Sequence, residues 1–175
     1  VEARSGQHTE AKAAGLQAIR LATRRGEPRR VAMLHQRLGA ISRDMSDMAD
    51  AINHTRKAAE IYAQIQDRRN VAYTKNALAM LFAVDHRLDE AGPLLDEARE
   101  TIENIGEHHA MALMLGNRGA IHLGLDELAE ADQCLWESLQ LFDATAIPRG
   151  RGFYEAYLGA TRALAGRIDK AEALV

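Results

Sequence analysis

Small and large apolar residues recur along this chain at a fixed interval. Ala11, Ala51, Ala91, Ala131 and Ala171 each follow the last by 40 residues. Other positions fall into the same register: Gly39, Ala79, Gly119 and Gly159; Ala18, Ala58, Ala98 and Ser138; Ala32, Ala72, Ala112 and Gly152. Large residues form columns of their own, with Met33, Tyr73, Leu113 and Phe153 in one and Met48, Leu88, Leu128 and Ile168 in another. Leu38, Leu78 and Leu158 precede the small residue of their column, with Arg118 as the exception. Ala11 and Ala18 lie two helical turns apart, on one face. So many columns in one register, without an insertion, identify an internal repeat.

Each unit reads as two helices. The pattern predicts first helices over 30–43, 70–84, 110–123 and 150–165. Second helices are expected over 8–24, 47–65, 87–105 and 127–144, with a stub from 168. The organisation is then one domain over 1–175: a half repeat 8–24, repeats 30–65, 70–105 and 110–144, and a partial repeat 150–175. Gly124 and Gly166 suit helix ends that need a positive φ, and Ser46 and Asp126 suit helix N-caps. Pro28 and Pro148 occupy equivalent places, where proline starts a helix without wasting a donor. Pro93 is expected early enough in its helix for the missing amide to cost little. Ala or Gly where two helices cross lets the backbones approach to about 8 Å rather than 10. A single hairpin cannot bury its apolar face alone, so it stacks on the next. Both ends fall within second helices, so the chain is expected to be a fragment of a longer protein. Its terminal helices would then expose apolar faces, and self-association through them is a further expectation.

Composition narrows the class. Hydrophobic residues make up 47% but aromatics only 5%, so the apolar content is mainly Ala, Leu, Ile and Met. These and the abundant Arg and Glu favour helix over strand. Net charge is −3, and Arg is interleaved with Asp and Glu, so no direct nucleic-acid contact is expected. The pairs Arg24-Arg25 and Arg29-Arg30 read as solvated charges around a turn. The single cysteine, Cys134, excludes an internal disulfide and fits a reducing compartment, so the expected location is the cytoplasm. No apolar run approaches the roughly 18 residues of a membrane span, so no membrane partner is expected.

Leu38-Gly39 followed by Ala51 and Ala58, and Leu158-Gly159 followed by Ala171, resemble the tetratricopeptide repeat over nearly the whole chain. The family's usual unit is shorter; forty is similar to the longer variants of kinesin light chains and bacterial signalling regulators. Asn76 and Asn117 match asparagines of those variants. The family's early tryptophan is replaced by His35, Lys75, Leu115 and Glu155. Its later aromatic survives only as Phe82, with Ser42, His122 and Arg162 elsewhere. The resemblance implies an all-α, right-handed superhelical solenoid of antiparallel hairpins. The segment 60–81 resembles the C-terminal repeat arrays of large bacterial regulators. A sensor or scaffold region of a transcriptional or signalling regulator is therefore the first functional expectation, and a stand-alone receptor for a peptide or small effector the second.

No catalytic constellation is expected. There is no glycine-rich phosphate loop, HExxH or GxSxG. His108 and His109 are adjacent and read as a solvated turn, without the convergent ligands zinc needs. His122 and Cys134 read as packing residues, Trp136 as core or interface, and the acidic pairs at helix starts as complements to the helix dipole. Neither enzyme activity, nor a metal, nor a cofactor is expected. In the family the first helices line a concave face, where a protein or peptide binds. By that resemblance the contact residues are Gln36, Arg37 and Arg43 in the first unit and Tyr73, Asn76 and Met80 in the second. Leu113 and Asn117 follow in the third and Tyr157 in the fourth. The arginines would hold a carboxylate, and the asparagines would pair with the amides of an extended peptide.

Overall fold

The computed structural model describes residues 2–145 and 150–172, with side chains over 7–145 and 150–166. The described residues form eight α-helices and no strand. They are α1 (Glu2–Arg24), α2 (Pro28–Asp44), α3 (Met48–Gln64), α4 (Arg68–Val84), α5 (Leu88–Ile105), α6 (His108–Gly124), α7 (Leu128–Thr145) and α8 (Arg151–Glu172). The chain divides into two compact units, residues 1–98 and 99–175, the division falling within α5. In the first unit α1 packs on α2, α2 on α3 and α3 on α4; in the second, α6 packs on α7 and α7 on α8. None of these helices is long and apolar enough to cross a membrane.

Six helices begin at 28, 48, 68, 88, 108 and 128, so each forty-residue unit is two structural steps of twenty. The turn that sets this step is the same each time. One residue takes a left-handed conformation: Gly26 (φ 66°), Ser46 (62°), Gln66 (56°), His86 (58°), Gly106 (79°) and Asp126 (61°). Its amide bonds the carbonyl three residues back, and the next amide bonds the carbonyl five back, as in Ser46 to Arg43 (2.9 Å) and Asp47 to Ser42 (2.8 Å). This pair of bonds is the Schellman closure, which satisfies carbonyls left over at a helix end. At two of these turns the side chain of the residue that completes it also caps the following helix. Asp47 accepts from the Asp50 amide (3.2 Å) and Asp67 from the Asn70 amide (3.3 Å). Ser46 and Asp126 are therefore turn residues rather than N-caps, and Gly124 ends α6 two residues short of the left-handed position.

Four of the six left-handed positions are not glycine. An L-residue there carries a penalty of roughly 1–2 kcal/mol, offset in part by glycine's larger entropy loss on folding. Gln66→Gly is therefore expected to stabilise the first unit by about 0.5–1 kcal/mol, read as a shift in the urea midpoint at unchanged slope. Gly106→Gln should destabilise the second unit by a similar amount.

Two further expectations need correction. Gly166-Arg167 is not a turn: α8 runs unbroken from Arg151 to Glu172, so no separate helix starts at 168. The stretch is dominated by Ala, Leu, Arg, Lys and Glu, which sustain a helix through one internal glycine. Pro93 is the sixth residue of α5, beyond the first turn. Its missing amide removes an intrahelical bond rather than an unused donor. Pro148 and the expected turn around it lie outside the described residues.

The columns are the core. Ala32, Ala51, Ala58, Ala72, Ala91, Ala98, Ala112 and Ala131 are fully buried. A methyl group on Gly39 would sit 2.6 Å from Thr55 Oγ1 and 3.2 Å from the Ala51 carbonyl oxygen. On Gly119 it would sit 2.6 Å from Leu135 Cγ and 3.2 Å from the Ala131 carbonyl oxygen. In these two hairpins glycine lets the first helix lie against the backbone of the second.

Candidate partner-binding surface

In the first unit the expected contact residues lie on α2 and α4. Gln36 is half-buried with both ends of its carboxamide engaged: it donates to Thr74 Oγ1 (2.8 Å) and accepts from the Tyr62 hydroxyl (3.0 Å). It ties α2 to α3 and α4, and so sets the spacing of the two first helices. Arg37 and Arg43 are exposed, Arg43 donating to neighbouring Asp44 (2.9 Å). Tyr73, Asn76 and Met80 are half-exposed along α4, and Arg69 lies over the Tyr73 ring at 5.5 Å. Arg37, Arg43, Tyr73, Asn76 and Met80 thus each keep surface in solvent, on two helices that the Gln36–Thr74 bond links.

In the second unit the arrangement differs. Asn117 is buried, and its carboxamide oxygen accepts from the Tyr154 hydroxyl (2.8 Å), which also reaches the Leu113 carbonyl (3.2 Å). Asn117 therefore acts as an internal fastener between α6 and α8. The Tyr154 ring lies over Gly116, where a methyl group would be 2.5 Å from two ring carbons. Burial pushes the Tyr154 hydroxyl up to about 12, with Tyr157 adding to the shift. Leu113 and Tyr157 are half-buried against the cluster of Leu135, Phe142, Tyr154 and Leu158. Beside them Phe153 is 56% exposed, edge-on to Tyr157 at 4.8 Å. Its column mates Met33, Tyr73 and Leu113 also keep part of their surface in solvent, which the apolar column in the sequence does not disclose.

Local spacing did not disclose the polar contacts. Asp50 accepts from Lys12 (2.8 Å) and from Ser42 (2.6 Å), and His54 Nε2 lies 3.6 Å away. His54 is buried, and its Nδ1 is 2.8 Å from His35 Nδ1, so one ring donates and the other accepts. Burial lowers His35 to about 4, with the charges of His54 and Lys57 adding to it. Burial also lowers His54, against the pull of Asp50. Burial pushes Asp50 up, but the bonds from Lys12 and Ser42 outweigh it and hold the carboxyl below its usual value.

Other residues fall into place singly. Arg29 and Arg30 are exposed; Arg29 also bonds Asp67 (2.6 Å), whose side chain is 7% exposed, and Arg30 bonds Glu27 (3.1 Å). His108 is exposed, but His109 packs edge-on to Phe142 at 5.4 Å rather than lying in a solvated turn. His122 is half-buried and polar in its contacts, bonded to Glu127 (2.6 Å) and accepting from Arg118 (3.3 Å). The Cys134 thiol is raised by burial, as expected of a packing residue. Trp136 is 49% exposed on α7 and is not core. Among the described residues no group of three or more His, Cys, Asp or Glu is placed to hold a metal.

Helical hairpins of fixed length, crossing through small residues and closed by one recurring turn, define a tetratricopeptide-like helical repeat protein. The profile of the soluble NSF attachment protein (SNAP) family matches residues 2–143, and the chain belongs to that family. Among solved structures it is similar to BtubC (BKLC) from P. vanneervenii, at 22% identity and a TM-score of 0.81 over 98% of this chain and 72% of that one. The apo form of RapI is similar at 16% identity and a TM-score of 0.79, over 98% of this chain and 48% of RapI. At these identities the two structures share the fold. No curated protein matches the sequence. The fold is of the helical-repeat kind used for protein interaction.

Proposed function

We propose that this chain is a non-catalytic protein-interaction module whose first unit takes a peptide or an extended partner segment on the face of α2 and α4. What supports this reading is that Arg37, Arg43, Tyr73, Asn76 and Met80 keep surface in solvent on two helices that Gln36 links. Exposed guanidinium groups attract a carboxylate, a carboxamide pairs with peptide amides, and Tyr and Met supply apolar contact. The SNAP family's name describes attachment to a protein, which supports a protein partner here. In the second unit Phe153 and Tyr157 offer an apolar contact of the same kind.

The test is a selection of random peptides on the wild-type chain, followed by affinity measurement on variants. Arg43→Ala with Asn76→Ala is expected to weaken the selected peptides at least tenfold, about 1.4 kcal/mol, with the helical circular dichroism intact. Peptides that bind both proteins equally would refute the groove.

We further propose, on sequence resemblance, that the module is the sensor or scaffold region of a bacterial regulator. That placement requires an adjoining nucleotide-binding or DNA-binding domain, which the coding sequence flanking residues 1–175 would reveal.

A further inference from the structure

Charge that is interleaved along the sequence is sorted in space within the first unit. Helices α1 and α3 end, and α2 and α4 begin, at one edge of that unit, where the turns are residues 25–30 and 65–70. These two stretches hold five arginines, Arg25, Arg29, Arg30, Arg68 and Arg69, against the carboxylates of Glu27 and Asp67. All five arginines are exposed. Arg29 reaches from the first turn to Asp67 in the second (2.6 Å), which joins the two groups into one cluster. At the other ends of the same helices, residues 44–50 and 85–90 hold six carboxylates against Arg87.

The turn itself does not need these arginines. The second unit closes the same turn at Gly106, and residues 105–110 contain neither Arg nor Lys. Nor do the helices favour them. The first turn of a helix carries partial positive charge and prefers acidic side chains. Neither α2 nor α4 has an acidic residue in its first turn, and Arg29, Arg30, Arg68 and Arg69 stand there instead. Four cations are thus kept where helix stability disfavours them.

We infer that this edge docks an acidic segment of a partner protein, a short run of Asp and Glu side chains. It is a surface beyond the α2–α4 face and does not rest on that reading. All five cations are arginine, whose planar fork holds both oxygens of a carboxylate. A net charge of −3 over the whole chain opposes a long polyanion such as nucleic acid. The exposed residues between the arginines are Gly26, Pro28 and Gln66, none of them the large apolar kind that anchors a protein in a membrane surface. The acidic edge of a second copy is a poorer occupant, because Asp44, Asp50 and Glu90 already bond Arg43, Lys12 and Arg87.

Fluorescence anisotropy of a labelled octaglutamate peptide with the intact chain tests this. At about 0.1 M ionic strength, where charges act over roughly 10 Å, the wild type is expected to bind octaglutamate about tenfold or more tighter than octaglutamine. Arg25→Glu with Arg68→Glu should weaken octaglutamate by about tenfold or more, since attraction becomes repulsion at two places. Arg56→Glu with Lys57→Glu, an equal change of net charge on the exposed face of α3, should weaken it by no more than about threefold. Arg68→Glu alone should raise the urea midpoint while it lowers affinity, because an acid suits the start of α4. Octaglutamate bound no tighter than octaglutamine would overturn the inference, as would equal losses in the two double variants. Tighter binding of a single-stranded oligonucleotide or of phosphatidylserine vesicles than of octaglutamate would also overturn it, by giving the edge to phosphates. Sedimentation that shows the chain gaining mass with concentration, and losing that gain in Arg25→Glu with Arg68→Glu, would overturn it in favour of a second copy.

Discussion

Gly119→Ala is expected to destabilise the second unit by about 1–3 kcal/mol, the range for forcing an extra carbon into a packed contact. The new methyl group would lie 2.6 Å from Leu135 Cγ and 3.2 Å from the Ala131 carbonyl oxygen. Leu135 is fully buried, so its side chain has little room to retreat. Gly39→Ala should behave alike in the first unit, where Thr55 Oγ1 is already bonded to the Ala51 carbonyl at 2.8 Å. Gly159→Ala, the same change one repeat further on, should stabilise by about 0.5–1 kcal/mol, because alanine is the better helix former and the space is open. Thermal and urea unfolding of the three variants give the comparison. A loss of stability at Gly159 in dilute protein would contradict the open face assigned to α8.

Acid is expected to loosen the first unit between pH 6.5 and about 4, before carboxylates contribute. The ordinary histidine value is 6.5, and His35 in the folded chain is lowered to about 4. Within that window the unfolded chain binds a proton that the folded chain refuses, so stability is full above pH 6.5 and falls toward pH 4. His54 is lowered in the same direction. The loss should reach roughly 2–3 kcal/mol for His35, allowing for partial solvent access, and His54 adds to it. Structure gives the same sign: the Nδ1···Nδ1 contact of 2.8 Å needs one lone pair, and two imidazolium rings would face each other donor to donor. The groups around the pair are Lys57, Asp47 and Asp50 on the α3 side and Lys12 on α1. Asp50 and Asp67 are held below 3.8, so their contributions are lost only in stronger acid. Unfolding free energy measured from pH 7 to 4 should slope in the wild type and slope less steeply in His35→Gln, where His54 alone remains. Equal slopes in the two proteins would assign the acid sensitivity elsewhere.

Much of the fold was legible because the repeat writes it several times. A column such as Ala32, Ala72 and Ala112 carries its own internal control, and those alanines are fully buried. The turns were legible in place but not in detail. Ser46, Gln66, His86 and Asp126 hold left-handed conformations without the glycine that normally marks them, so the side chains Ser46 and Asp126 suggested caps instead. The end of α8 was misread for the converse reason, since Gly166 looks like a turn residue and stands within a helix. The candidate surface was the least legible. Gln36 and Asn117 were placed by position along a helix, but their partners Thr74 and Tyr154 are 38 and 37 residues away. Spacing along one helix says nothing about what a neighbouring helix brings to it.

The recurring turn also limits how this chain can change length over evolutionary time. One residue finishes the closure of a helix and, as Asp47 and Asp67 show, caps the next, so the connection holds no slack. Adding or deleting a single codon inside a helix would rotate everything beyond it by about 100° and swing the small residues away from their crossings. A length change inside one block should therefore be costly here, and whole blocks of forty, gained or lost by duplication and excision, are the changes this register tolerates best.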